Sequence, residues 1–193
     1  MWSNKKLIEI LKQGGVAVMP TDTLYGIVGR AQDTDVVNRI YVARKRNPEK
    51  PCIILIADIN ELKKFGISLT EKQKEKIEKF EGPTSFILDC ESEKLEYLHR
   101  GTKTLAFRLP TPTDLCNLLK QTGPLIAPSA NTEGMPPAQS ISEAKKYFGS
   151  SVDLYIDGGE IKREPSKIIK LHQDGSIDII RHWVYNIKVK LFE

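Results

Sequence analysis

PTDTLYGIVG, residues 20–29, is the stretch that decides how this chain folds and where it acts. It follows the apolar run GGVAVM, residues 14–19, which predicts a helix end and then a short buried strand. Pro20 has no N–H to give to a sheet, so the strand ends there and the polar side chains of residues 21–23 project from its tip. Open α/β sheets bind ligands at such tips. The composition leaves one alternative open, in which the segment only caps a helix starting near Tyr25.

Length and composition are those of one globular domain. The chain has 193 residues, of which 40% are hydrophobic and 28% charged; we assign residues 1–182 to the domain and residues 183–193 to a C-terminal tail. It contains no run of about 20 apolar residues that would cross a bilayer, and its charged N-terminus is unlike a signal peptide. We therefore expect a cytoplasmic protein with no membrane partner.

The cysteines argue against two kinds of site, and the net charge leaves the kind of ligand open. Cys52, Cys90 and Cys116 are widely spaced and form no CxxC pair, which argues against a disulfide framework or a zinc site. The net charge of +4 is compatible with an anionic ligand or with RNA, and demonstrates neither.

Short apolar runs alternate with segments of helical periodicity along the chain. This alternation predicts an α/β fold with a twisted mixed sheet flanked by helices. Helices are predicted over residues 1–15, 34–43, 59–65, 70–80, 113–120 and 141–148. Strands are predicted over residues 16–19, 52–57, 86–90, 104–110, 125–127, 154–156, 167–172 and 176–181, with a charged connector at 91–100.

Polar and charged side chains gather at the ends of the predicted strands. They are residues 21–23, Thr104, Arg108, Ser129, Asn131, Ser166 and Arg181, together with the basic residues Arg44, Lys45, Arg46 and Lys50. The sequence has no Walker loop, Ser/His/Asp set or metal triad. Cationic side chains combined with small hydroxyl and amide groups are suited to holding phosphates and carboxylates.

Each of these groups also has a structural interpretation. The basic cluster at residues 44–50 fits a solvated patch at a helix end, and Ser129 and Asn131 fit a simple turn. Arg108 is different because it lies in an apolar strand, where an unpaired guanidinium is costly to bury. It needs an anionic partner, either Asp22 or a bound ligand.

Six segments together resemble the YrdC-type threonylcarbamoyl-adenylate synthase family, in the family's order and over about residues 5–181. They are PTDTLYG (20–26), IY…RKRNPEKP (40–51), EGPTSF (81–86), TLAFRLP (104–110), IAPSANTEGMPP (126–137) and PSKII…IIR (165–181). The resemblance implies a YrdC/RibB-like fold with a large, positively lined concave cavity. It implies a nucleotidyltransferase that joins L-threonine, bicarbonate and ATP into L-threonylcarbamoyl-adenylate and releases pyrophosphate. A separate tRNA threonylcarbamoyl transferase complex would use the product to modify adenosine in ANN-decoding tRNAs.

The resemblance also implies roles for individual residues. The implied threonine contacts are Thr23, Leu55, Arg108, the Ala127 backbone and Ser166. The implied ATP contacts are Arg46, Lys50, Thr104, Ser129, Asn131, Pro137 and Arg181, with Arg44 and Arg46 as the catalytic pair. We expect Mg²⁺ to arrive on the triphosphate without protein ligands, and tRNA is a further candidate partner.

The chain departs from the family pattern at several positions. Arg44 stands where the family's KxR signature usually starts with lysine, Lys167 replaces the threonine of PST, and Leu55 stands where some relatives have histidine. Two alternatives therefore stay open: a non-synthase paralogue similar to YciO, and a protein of the same fold that binds tRNA or double-stranded RNA without chemistry.

Overall fold

The computed structural model describes residues 1–181, which form one twisted sheet of nine strands flanked by helices. The strands are β1 (Ala17–Pro20), β2 (Tyr25–Arg30), β3 (Ile53–Leu55), β4 (Thr84–Asp89), β5 (Thr104–Arg108), β6 (Leu125–Ile126), β7 (Leu154–Tyr155), β8 (Lys167–Leu171) and β9 (Ile177–Arg181). The helices are α1 (Lys5–Lys12), α2 (Thr34–Arg44), α3 (Glu71–Glu78), α4 (Glu96–His99), α5 (Thr113–Thr122) and α6 (Ile141–Phe148), with 3₁₀ turns at Ile59–Phe65, Glu93–Leu95 and Gly149–Ser151. The predicted tail, residues 183–193, lies outside the described residues.

The strand order confirms the predicted mixed sheet. Across the sheet the strands run β7-β1-β2-β6-β3-β5-β4-β8-β9. The pairs β1–β7, β3–β5 and β4–β8 are parallel, and the other five are antiparallel. The connector predicted at residues 91–100 is not featureless, because it contains the turn Glu93–Leu95 and α4.

Helix starts follow the polar residues in the sequence. The side chains of Asn4, Asp33, Thr70 and Ser140 each accept a backbone N–H from the first turn of the helix that follows. These bonds satisfy amide groups that have no partner inside a helix. Asp33 therefore caps α2, and Ser140 caps α6.

Residues 25–30 are a strand, so the alternative of a helix starting near Tyr25 is wrong. β2 pairs antiparallel with β1 from Ala17↔Val28 to Pro20↔Tyr25, and residues 21–24 form the turn between them. Gly29 lets α2 lie directly on this strand, since a Cβ at Gly29 would lie 2.3 Å from Val36 Cγ1. Glycines weaken a helix and permit such close approach, so Gly26 and Gly29 favour the strand.

The two faces of the sheet carry separate apolar clusters. Leu7 of α1 and Leu115 of α5 pack with Met19 and Leu55 on one face. The helices α2, α4 and α6 cover the other face, where β2 contributes Ile27. Alternate strand residues thus point into different layers.

The face under α1 and α5 continues across β3, β5, β4 and β8 with less cover. Pairing places Ile53, Ala106, Ile87 and Lys170 side by side on that face, and all four are half-buried. An open floor therefore extends from the covered part of the sheet. Among residues 1–181, no helix has the length and apolar character that crossing a bilayer requires.

Candidate functional site

A cavity of about 250 Å³ lies where the β1–β2 turn, the segment after α2 and the ends of β5 and β8 meet. Its wall includes four arginines, Arg44, Arg46, Arg108 and Arg181. No aspartate or glutamate of residues 1–181 is part of the wall. The cavity is therefore built for an anion.

The β1–β2 turn brings its polar residues into the protein. The Thr21 N–H and hydroxyl both donate to the Leu24 carbonyl, at 2.9 and 2.8 Å, and the Thr23 N–H donates to Thr21 Oγ1 at 3.2 Å. These bonds tighten the turn, and Thr21, Asp22 and Thr23 are all buried. Buried polar side chains need hydrogen-bond partners, and here the turn itself and Arg108 of β5 supply them.

Asp22 is the anionic partner that Arg108 requires. Asp22 Oδ1 accepts hydrogen bonds from Arg108 Nε at 3.1 Å and from Nη2 at 2.9 Å, and Nη2 also lies 3.4 Å from Thr23 Oγ1. Both side chains of the ion pair are almost completely buried. Of the two partners that the sequence left open, the structure contains the internal one. Asp22 and Thr23 bind Nε and Nη2 of Arg108. Its Nη1 therefore remains for a ligand.

Arg44 is buried, and none of its partners among residues 1–181 is anionic. Its Nε donates to the Asn131 carbonyl at 3.0 Å and its Nη2 to Asn131 Oδ1 at 3.0 Å, with Ser129 Oγ 3.5 Å away. All these acceptors are neutral, and Nη1 has no hydrogen-bond partner among the described residues. Burial lowers the pKa of the Arg44 guanidinium, and the charge of Arg46 lowers it further. The interpretation of Arg44 as part of a solvated patch is therefore wrong.

The end of α2 explains how Arg44 and Arg46 both reach the cavity. Lys45 adopts a left-handed conformation with φ of 49°, and the Arg46 N–H returns to the Tyr41 carbonyl at 3.0 Å. This is a Schellman ending, which reverses the chain. Lys45 consequently points to solvent, while Arg46 is half-buried and donates to the carbonyls of Lys50 and Pro51 at 3.0 and 2.8 Å.

Ser166 and Arg181 form the wall on the β8–β9 side. The hydroxyls of Ser166 and Ser85 are 2.9 Å apart and both are buried. Arg181 Nε and Nη2 donate to the Ser166 carbonyl at 3.1 and 2.9 Å. Burial lowers the pKa of Arg181, and the charge of Arg108 adds to this effect. The guanidinium groups of Arg108 and Arg181 are thus close enough to repel each other, and an anion bound between them would reduce this repulsion.

Most of the residues given a binding or catalytic role from the sequence line this one cavity. They are Thr23, Arg44, Arg46, Arg108, Ala127, Ser129, Pro137, Ser166 and Arg181. Four others lie outside the wall: Leu55, Lys50, Thr104 and Asn131.

Each of those four has a physical reason for its position. Leu55 is fully buried in the apolar cluster under α1 and α5, and Asn131 lies behind Arg44 as its hydrogen-bond partner. Lys50 is exposed and pairs with Glu133 at 2.9 Å. Thr104 shares a strand face with Arg108 but lies four residues away, roughly 13 Å along β5. The roles assigned to these four residues, like those assigned to the residues in the wall, stay predictions.

Ser85 and Glu133 contact residues singled out for the site and were not themselves identified from the sequence. Ser85 pairs with Arg108 across β4 and β5, and the alternation of β4 would have placed it on the cavity face. Glu133 contacts Lys50, 83 residues earlier, and no local pattern signals a contact between segments so far apart.

The sequence matches the family model Sua5/yciO/yrdC, described as "Telomere recombination", over residues 9–182. The threonylcarbamoyl-AMP synthase of Bacillus subtilis is 32% identical over 153 residues, which are 78% of this chain and 44% of that protein. The threonylcarbamoyl-AMP synthase of Nitrosococcus oceani is 30% identical over 172 residues, 86% of this chain and 92% of that protein. The chain thus spans about half the length of the first relative and nearly all of the second.

Two solved structures share the architecture. Pyrococcus abyssi Sua5 complexed with L-threonine is 29% identical with a TM-score of 0.78, covering 86% of this chain and 50% of that one. Escherichia coli YciO is 25% identical with a TM-score of 0.79, covering 95% of this chain and 90% of that one.

Proposed function

This chain belongs to the Sua5/YciO/YrdC family, and from that premise we propose that it is an L-threonylcarbamoyl-adenylate synthase, a nucleotidyltransferase that uses L-threonine, bicarbonate and ATP. One observation carries the proposal. Arg44 is buried beside three other arginines in a cavity wall without carboxylates, and its Nη1 has no partner among residues 1–181. A buried unpaired charge destabilises a protein unless an anion neutralises it, so the site is organised for a ligand such as a phosphate.

We propose that L-threonine binds where Thr23, Arg108 and Ser166 meet. Arg108 Nη1 would donate to the substrate carboxylate, because Asp22 occupies Nε and Nη2 on the other side of the guanidinium. The hydroxyls of Thr23 and Ser166 would orient the amine and the side chain of the substrate. The L-threonine complex of the Pyrococcus abyssi relative supports this choice of substrate.

ATP would occupy the arginine side of the cavity. Arg44, Arg46 and Arg181 suit phosphate oxygens, since guanidinium groups bind them in a bidentate manner. The cavity volume of about 250 Å³ lies just below the usual range of roughly 300–1,000 Å³ for ligand sites. The nucleoside would therefore extend over the open sheet floor, past Ala106 and towards Thr104. Mg²⁺ would enter on the phosphates, because the wall offers no carboxylate among the described residues.

The proposed chemistry needs positioning rather than a covalent enzyme intermediate. The threonine amine attacks the bicarbonate carbon and loses a proton while a C–O bond breaks, so that a carbamate forms and water leaves. A carbamate oxygen then attacks the α-phosphorus, and pyrophosphate leaves. The arginines stabilise the charge that develops on the phosphates and fix the reacting groups in line. The tRNA substrate and the downstream transferase complex stay predictions.

The test supplies the purified protein with ATP, Mg²⁺, bicarbonate and L-threonine and measures pyrophosphate and the adenylate product. We expect pyrophosphate release that depends on both threonine and bicarbonate. Arg44→Gln should lower kcat/KM by about 100-fold or more, as expected for loss of a donor to developing charge. Arg39→Gln is the matched control, because Arg39 lies on the same helix and pairs with Asp153 at the surface. Release that is absent, or that does not need threonine, contradicts the synthase and favours a non-synthase paralogue.

A further inference from the structure

Glu133 connects the two segments that hold the arginines, although no role has been assigned to it. Its N–H donates to the Arg44 carbonyl at 2.9 Å. Its carboxylate accepts the Asn47 N–H through Oε2 and pairs with Lys50 Nζ through Oε1 at 2.9 Å. One residue thus contacts the beginning, middle and end of the stretch from Arg44 to Lys50.

Apart from Glu133, residues 44–51 are held by Asn131, which binds the Arg44 side chain, and by the Tyr41 hydroxyl, which donates to the Lys50 carbonyl at 2.9 Å. Residues 47–50 are exposed, and within the stretch the Lys50 N–H reaches the Asn47 carbonyl at 3.2 Å and the Glu49 N–H reaches Asn47 Oδ1 at 2.9 Å. The position of Arg46 depends on this backbone, because its guanidinium donates to the Lys50 and Pro51 carbonyls. Contacts that hold the backbone of residues 47–50 in place therefore also hold Arg46 in the cavity wall.

Residues 129–133 hold the same stretch from one side. Asn131 binds the Arg44 side chain, and Glu133, two residues later, binds the backbone that carries Arg46. Asn131 thus positions the Arg44 side chain, and Glu133 positions the backbone next to Arg46. The anion-binding groups are thus already in position without a ligand, which reduces the free-energy cost of ordering them on binding.

Glu133 also brings a negative charge close to a site built for anions. The Lys50 ammonium and the Asn47 N–H hold the pKa of the Glu133 carboxyl below its usual range, so it is ionised at neutral pH. Lys50 is occupied by this carboxylate and does not line the cavity. A triphosphate would attract Lys50 more strongly than one carboxylate does, since it carries several charges.

We propose that Glu133 is a positioning residue for the nucleotide: its carboxylate holds residues 44–51 beside the cavity, and Lys50 leaves it for a phosphate when ATP binds. The identity of the anion rests on the proposed function, whereas the ordering of residues 44–51 does not. Lys50 is thus exposed and pairs with Glu133 instead of lining the cavity wall.

Three variants separate the two parts of the proposal. Glu133→Ala removes the acceptor for Asn47 and the partner of Lys50. Glu133→Gln keeps an acceptor for Asn47 but no longer retains Lys50 by charge. Glu143→Ala is the matched control, because Glu143 likewise accepts a backbone N–H, from Gln139 at 2.8 Å, but at the start of α6 rather than in residues 44–51.

The first measurement is amide hydrogen exchange across residues 45–50 without nucleotide. Protection of the Asn47 amide should fall in Glu133→Ala and be largely retained in Glu133→Gln and Glu143→Ala. The second measurement is the Kd for ATP by calorimetry, with kcat and the KM for threonine from the pyrophosphate assay. Glu133→Ala should weaken ATP binding by about tenfold, whereas Glu133→Gln should bind ATP as tightly as the parent protein or more tightly.

The outcomes distinguish this proposal from the proposed function. Equal weakening of ATP binding in Glu133→Ala and Glu133→Gln overturns the positioning role, as does an equal rise in the KM for threonine. Unchanged exchange at Asn47 in Glu133→Ala overturns the ordering role. If the parent protein shows no threonine-dependent release, the synthase assignment fails, while the exchange data still decide whether Glu133 orders residues 44–51.

Discussion

Replacing Asp22 by asparagine isolates the charge at the centre of the site while keeping its shape. In the native protein Asp22 Oδ1 accepts two hydrogen bonds from Arg108, at 2.9 and 3.1 Å, and both side chains are no more than 4% exposed. Two unit charges about 4 Å apart attract by about 4 kcal/mol at an effective dielectric constant of 20. Asp22→Asn removes this attraction and leaves a guanidinium buried without a counterion.

The expected loss of stability is about 3–5 kcal/mol, the usual result of removing one partner of a buried ion pair. For a domain of this size that corresponds to a Tm about 6–20 °C lower. Urea unfolding and calorimetry measure both quantities. Asp153→Asn is the control, because the pair of Asp153 and Arg39 has the same chemistry at the surface, with both side chains more than 40% exposed. It should change stability by less than about 1 kcal/mol.

A loss for Asp22→Asn as small as that for the control would refute the reasoning, because another anion would then have to compensate Arg108. The variant also tests the threonine site. With Asp22 neutral, none of the described partners of Arg108 carries a negative charge, so the substrate carboxylate would act as its counterion. L-threonine should therefore raise the Tm of Asp22→Asn by more than it raises the Tm of the parent protein.

The sequence was sufficient for the strands and helices whose patterns are unambiguous. The run around Ile54 and the periodicity of residues 34–43 determine β3 and α2, because burial and helical spacing point the same way. β2 was missed since YGIVG has two glycines and no clean alternation. Its partner β1 and the covering helix α2 decide its conformation, and both are tertiary contacts.

One part of the site could be predicted from the sequence, because burying an unpaired charge is energetically unfavourable and so implies a partner. Arg108 in an apolar strand requires an anion, and the structure has Asp22 there. Arg44 was harder to interpret, because a basic cluster at a helix end is usually solvated; only the fold shows Asn131 holding it inside. Leu55 and Thr104 illustrate a further limit: their order in the chain does not say how far from the cavity they lie.

Two further predictions concern residues 41 and 45, at the end of α2. Lys45→Gly should stabilise the protein by about 1 kcal/mol in urea unfolding, because the left-handed conformation at φ of 49° penalises a Cβ. Lys45→Ala keeps the Cβ and should show no such gain. Burial raises the pKa of Tyr41 from 10.0 to about 12, with Cys52 adding to the rise. Since the unfolded chain loses this proton near pH 10 and the folded chain keeps it to about pH 12, the stability that Tyr41 contributes is fully present below pH 10 and is lost as the pH rises through 12. Tyr41→Phe should remove this part of the alkaline slope of the unfolding free energy, and an unchanged slope would contradict the assignment.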